Sequence, residues 1–133
     1  MNVPITAIYA SLTAVLIIIL AWRVTKYRRT LKIGVGNGDN THLSIAIRCH
    51  ANTVEYAPIA LLLLLIGELN GLSSLWLHII GIVFVLSRLA HVWGLNKTQG
   101  GYSLGRSYGT AATWLVILTL SLINILILIG ITI

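Results

Sequence analysis

Acidic side chains are scarce in this chain of 133 residues, which has three of them against nine lysines and arginines. Charged residues make up only 9% of the sequence and hydrophobic residues 57%, and the mean hydropathy is +0.93. Because a water-soluble domain needs a charged surface, this composition excludes one. The net charge of +6 could suit nucleic acid, but five of the nine basic residues gather in one connection between apolar stretches, as in membrane proteins.

Cysteine is also scarce, since Cys49 is the only one, and an internal disulfide is therefore excluded. No two of the four histidines stand four residues apart and carboxylates do not cluster, so we expect no metal site. The glycine-rich segment 34–41 has neither the Walker pattern nor a dinucleotide fingerprint. We read it as a turn that also caps the following helix, and we expect no nucleotide site.

Four long apolar stretches fill most of the sequence, and each can cross a hydrocarbon core about 30 Å thick as a helix. We predict one all-α integral membrane domain over residues 1–133, an up-down bundle of four transmembrane helices at about 3–28, 42–70, 72–97 and 103–132. Basic residues follow the first stretch and none precedes it, which is the reverse of a cleavable secretory signal. We therefore expect that stretch to remain as the first helix.

The basic residues also predict the orientation in the membrane. The third connection is flanked by Lys97 and Arg106, whereas the second, residues 68–74, contains no basic residue. By the positive-inside rule, connections one and three face the cytosol and both termini lie outside. The five basic residues of the first connection are Arg23, Lys26, Arg28, Arg29 and Lys32.

A glutamate lies in the middle of the second predicted helix, where an ionisable group is costly and therefore usually marks a functional site. Glu55 shares a stripe roughly 60° wide with Arg48 and Asn52, which precede it by seven and three residues. Pro58 follows within one turn and can kink the helix, which would free a backbone carbonyl near these side chains.

Two other helices are predicted to carry polar residues in the same cytosolic half of the membrane. Arg88 and His91 lie near the end of the third helix, and Arg106 and Ser107 open the fourth. Glu55 and Arg88 could form a purely structural pair. One glutamate cannot neutralise three arginines, however, so we favour a site for a small zwitterion with more carboxylates than amines. His91 either lines this site as a polar side chain or carries a proton in it.

The fourth predicted helix begins with a Gly-xxx-Gly spacing, Gly105 to Gly109, which allows two helices to approach closely. Four short helices with an exposed polar stripe would bury that stripe best against another copy of the chain. We therefore expect an oligomer.

The pattern Arg48-xxx-Asn52-xx-Glu55, followed by Pro58, resembles the MAPEG family, the membrane-associated proteins in eicosanoid and glutathione metabolism. The likeness covers nearly the whole chain and is greatest to bacterial-type microsomal glutathione transferases. It implies a homotrimer in a bacterial inner membrane, with glutathione bound as co-substrate between subunits on the cytosolic side. Hydrophobic electrophiles or lipid hydroperoxides would arrive from the bilayer, and the protein would serve detoxification as a glutathione transferase or peroxidase.

The resemblance also implies roles for individual residues. Arg106 would stabilise the reactive thiolate, with Ser107 as the alternative donor, because a free thiol with a pKa near 8.5 is mostly protonated at neutral pH. Arg88 would either brace Glu55 or contact the ligand. The residues that the resemblance assigns to glutathione binding are Arg48, Asn52, Glu55, Arg88, His91 and, at the end of the first helix, Arg23 or Arg28.

The sequence departs from the eicosanoid-synthesising members of the family. Some of them carry tyrosines where this chain has Leu95 and Thr110, and some carry arginine where it has Ala51. Prostaglandin or leukotriene synthesis is therefore not expected. The alternative to an enzyme is a membrane binder or scaffold for glutathione or an anionic lipid. An ion pathway is disfavoured because the outer halves of helices two and three are almost wholly apolar.

Overall fold

The computed structural model describes residues 2–131, which form four helices joined by short connections and contain no strand. Each helix is long and apolar enough to cross a membrane. The predicted all-α fold of four membrane helices is thus confirmed. The helices are α1 (Pro4–Leu31), α2 (Thr41–Leu69), α3 (Ser74–Lys97) and α4 (Leu104–Leu128).

Two helix ends differ from those predicted by three or four residues, and the other boundaries differ by two residues or fewer. α1 continues past residue 28 to Leu31 and stops where Lys32 turns left-handed, with φ of 55°. α4 ends at Leu128 rather than at residue 132, which lies outside the described residues. Gly130 has φ of 86°, and its amide donates to the carbonyl of Ile127 at 3.0 Å, so the chain leaves the helix at a glycine that accepts this conformation easily.

The end of the bundle at the second connection is closed by a glutamate that caps another helix. The carboxylate of Glu68, at the end of α2, accepts the backbone amides of Ile5 at 3.0 Å and Thr6 at 2.7 Å. These amides belong to the first turn of α1, where helix donors have no partner inside their own helix. Glu68 is therefore structural, and its bonds fix α1 and α2 as antiparallel neighbours.

Small residues bring α3 and α4 close together in the half of the bundle next to the third connection. A Cβ atom added to Gly109 would lie 2.6 Å from the carbonyl oxygen of Ser87 and 2.9 Å from the Cβ of His91. One added to Gly94 would overlap the backbone nitrogen of Arg106. The Gly-xxx-Gly spacing that includes Gly105 therefore serves a contact within the chain, and it places the start of α4 directly against α3.

Candidate functional site

Arg88 lies among polar groups of α2 and α4 in the half of the bundle next to the third connection, with only 1% of its surface exposed. Its Nη1 atom donates to Asn52 Oδ1 at 2.8 Å, and its Nη2 atom donates to the carbonyl oxygen of Gly109 at 2.8 Å and to the hydroxyl of Thr113. A guanidinium group carries several N–H donors in a fixed planar arrangement, so one arginine can bond several acceptors at once. Arg88 thus ties α2, α3 and α4 together at one depth.

Glu55 is not the partner of Arg88. Within residues 2–131 the hydrogen bonds of Arg88 go to neutral acceptors, and the nearest aromatic face is that of Tyr56, 5.5 Å from the guanidinium carbon. Glu55 lies two residues after the buried Thr53, about 200° around α2, and is exposed. Of the two roles expected for Arg88, bracing Glu55 is therefore wrong. The α2 side chain that Arg88 holds in place is Asn52.

Four other members of the predicted site lie on the surface of this chain. Arg48 and Glu55 are exposed on α2, and Arg106 and Ser107 are exposed at the start of α4. Ser103 Oγ accepts the backbone amide of Arg106 at 3.5 Å and so caps α4. The guanidinium of Arg106 makes only a long bond, 3.4 Å, to the carbonyl oxygen of Gly100. These four side chains keep most of their bonding capacity for other partners.

A groove of about 360 Å³ runs along the first turns of α4. The end of the groove at the start of α4 is polar, because Arg106 and Ser107 line it. Two turns further along α4 the groove is bounded by the indole of Trp114. Such a groove can accept a molecule with an apolar body and one polar end. The remaining lining residues are Tyr102, Ser103, Thr110 and Ala111.

His91 occupies the space between these elements. It is buried beside Gly109, its Nδ1 atom has no hydrogen-bond partner among residues 2–131, and the guanidinium groups of Arg48, Arg88 and Arg106 lie within electrostatic range of it. The three arginines that the sequence predicted to share one depth therefore all lie in the half of the bundle that contains His91, with Arg88 buried and the other two exposed.

The two basic residues of α1 that the resemblance assigns to the site take protein partners. Arg23 Nη2 donates to Asn96 Oδ1 at 2.6 Å, and the Asn96 amide in turn donates to Cys49 Sγ at 3.7 Å. Arg28 Nη1 donates to the carbonyl oxygen of Gly34 in the first connection at 3.0 Å. Arg23 therefore lies near the cluster through α3, whereas Arg28 braces a loop. Sequence reasoning missed Asn96, since a single asparagine near a helix end is usually a boundary residue.

Four apolar helices with arginine, asparagine and histidine side chains gathered in one half define an integral membrane protein with a polar site between its helices. The chain belongs to the MAPEG family, whose model matches residues 6–126. The resemblance seen in the sequence is thereby confirmed. Two relatives are each called inner membrane protein YecN, one from Escherichia coli K12 and one from Escherichia coli O6:H1. Each is 36% identical over 121 residues, which are 91% of this chain and 90% of the relative.

Proposed function

We propose that this protein is a glutathione-binding enzyme, a transferase or peroxidase that acts on hydrophobic electrophiles from the bilayer. The observation that carries the proposal is the fixed Asn52, held by the buried Arg88 beside the exposed Arg48 and Glu55 in a chain of the MAPEG family. The name of its relatives supports an inner membrane location. The basic connections support an orientation with the site on the cytosolic side.

The charges of the site match the groups of glutathione, which has two carboxylates, one ammonium and two amides. Arg48 and Arg106 are exposed cations that can each bind a carboxylate. Glu55 is the acidic group available for the ammonium, and Asn52 can bond an amide through the donors that Arg88 leaves free. Arg23 could add a contact only by leaving Asn96.

The reaction needs a thiolate next to a lipophilic acceptor. Arg106 and Ser107 line the groove on α4 and can donate to the sulfur, which lowers the proton affinity of the thiol. In a transferase reaction the sulfur bonds to an electrophilic carbon and the leaving group departs with its electron pair. In a peroxidase reaction the sulfur attacks the outer hydroperoxide oxygen, the O–O bond breaks, and the alcohol leaves after taking up a proton. The resulting sulfenic acid condenses with a second glutathione to give the disulfide and water.

A homotrimer would complete this site. Arg48 and Glu55 lie on a face of α2 that the chain itself leaves exposed. Exposed ionisable groups at membrane depth are costly unless a partner or a water-filled cavity covers them. A neighbouring copy packed on this face would enclose a ligand between subunits.

The test is a conjugation and peroxidase assay on the full chain in lipid, with a hydrophobic aryl halide and a lipid hydroperoxide as acceptors. Arg106→Ala should lower the rate much more than it weakens glutathione binding, because its effect lies on the thiolate. Lys97→Ala is the matched control, since Lys97 is an exposed cation at the same boundary and makes only a contact with the Trp93 ring. Equal losses in the two variants would contradict the role of Arg106.

The second candidate function is a binder or scaffold without turnover. Leu95 is buried and apolar, and the hydroxyl of Thr110 donates to the carbonyl oxygen of Arg106 at 3.0 Å, so neither position offers a phenol to the site. Glutathione binding without turnover of either acceptor would favour this candidate over an enzyme.

A further inference from the structure

One face of α1 turns away from the rest of the chain along most of the helix. The exposed residues on it recur at alternating spacings of four and three, so they form a straight stripe along the helix. From Ile8 to Trp22 the stripe is apolar and about 21 Å long, more than the depth of one leaflet of a core about 30 Å thick. The members of this α1 stripe are Ile8, Leu12, Val15, Ile19, Trp22, Lys26 and Arg29.

The inner end of the α1 stripe forms a concavity of about 280 Å³. Trp22, Lys26 and Arg29 line it, and the Lys26 ammonium lies 5.3 Å from the centroid of the Trp22 ring. Trp22 is 62% exposed, although an indole of this size is usually buried in a core. An exposed tryptophan beside cations at the end of a membrane helix is typical of the level where lipid headgroups begin. Thr25 and Thr30 complete the lining.

The cations of the stripe differ from their neighbours on the same helix. Arg23 donates to Asn96 and Arg28 donates to the carbonyl of Gly34, so both are committed to the protein. The side chains of Lys26 and Arg29 have no hydrogen-bond acceptor among residues 2–131, and both are exposed. These two charges, which share one concavity, therefore lack a counter-charge from the described part of the chain.

We propose that an anionic phospholipid occupies the α1 stripe. Lys26 and Arg29 bind its phosphate, Trp22 lies against the glycerol region, and an acyl chain follows the apolar residues above. A phosphate supplies the negative charge that both cations lack in the described part of the chain, so its binding neutralises them. The site lies on another face of α1 from Arg23 and does not depend on glutathione binding.

The test is native mass spectrometry of the full chain in a non-ionic detergent, with equal amounts of phosphatidylglycerol and phosphatidylcholine. One basic residue near a headgroup contributes about fivefold in binding, so we expect a preference for phosphatidylglycerol of roughly 25-fold from two. Lys26→Gln combined with Arg29→Gln should abolish most of that preference. Lys32→Gln combined with Lys97→Gln is the matched control, because it removes the same charge from two other exposed positions at the inner boundary.

Three results would overturn the proposal. One is an equal preference in the Lys26/Arg29 variant and the wild type, and another is an equal loss in the control variant. The third is loss of the oligomer in the Lys26/Arg29 variant with unchanged lipid selectivity, which would assign the face to a second copy. Soluble glycerol phosphate in a parallel arm separates the sources of the phosphate. We expect it to compete poorly, because it lacks the acyl chain that the stripe binds.

Discussion

The bond between Arg88 and Asn52 predicts a specific energetic coupling. Arg88→Met removes three hydrogen bonds, but two of the acceptors keep other partners. The Gly109 carbonyl still accepts from Thr113 at 3.0 Å, and the Thr113 hydroxyl still bonds Ser87 at 2.7 Å. Of the three acceptors, only Asn52 Oδ1 is then left without another hydrogen-bond partner among residues 2–131. An orphaned acceptor costs about 1–3 kcal/mol when it is buried, and Asn52 is half-buried, so we expect a loss of stability at the lower end of that range and a free Asn52 side chain.

This coupling can be measured as a double-mutant cycle on glutathione affinity. We expect Arg88→Met to weaken binding about tenfold, equivalent to about 1.4 kcal/mol, because Asn52 is no longer oriented. Asn52→Leu should weaken it by at least as much, and the double variant should lose little more than Asn52→Leu alone. The assay is isothermal titration in lipid nanodiscs with thermal unfolding of the same samples.

Thr113→Val supplies the matched control for this cycle. Thr113 also bonds Arg88, so the Arg88/Thr113 pair should couple in thermal stability. It should not couple in glutathione affinity, because Thr113 is fully buried between α3 and α4. Affinity changes of Arg88→Met and Asn52→Leu that add to within about 0.5 kcal/mol would refute the reasoning, since independent residues behave that way.

The remaining predictions concern the bundle and the thiolate. Gly109→Leu should unfold the protein or lower its thermal midpoint sharply, because a Cβ there already meets the Ser87 carbonyl; unchanged melting would contradict the close α3–α4 contact. Glu68→Ala removes a helix cap and should lower the free energy of unfolding by about 1 kcal/mol. The measurement is hydrogen exchange, which should become faster at the amides of Ile5 and Thr6, and Glu68→Gln is the milder control. Arg106→Ala should raise the pH at which conjugation reaches half its maximum; an unmoved pH profile would exclude thiolate stabilisation.

Sequence reasoning succeeded where a pattern repeats along the chain. Hydropathy located four helices, and the spacing of Arg48, Asn52 and Glu55 identified the inner half of α2 as polar. It failed for the partner of Arg88, because Asn52 and Glu55 share a stripe whose orientation depends on packing. The buried face of α2 includes Thr53, so Asn52 turns inward and Glu55 outward. No periodicity within α2 alone decides between the two.

Contacts between residues distant in sequence could not be predicted. Glu68 has no partner close to it in sequence, yet its carboxylate accepts hydrogen bonds from the amides of Thr6 and Ile5, 62 and 63 positions earlier. The bond of Arg23 to Asn96 spans 73 positions and leaves Arg23 less available as a ligand contact. Such pairs form only between neighbouring helices and between residues at the same depth in the membrane. A single sequence predicts the depth of a residue but not which helices are neighbours.

Glutathione titration of the full chain in lipid tests the central claim most directly. We expect saturable binding by the wild type, clearly weaker binding by Glu55→Gln, which removes the counter-charge for the ammonium, and nearly unchanged binding by Glu68→Gln on the same helix. Absence of binding by the wild type, or equal affinity of all three proteins, would contradict it.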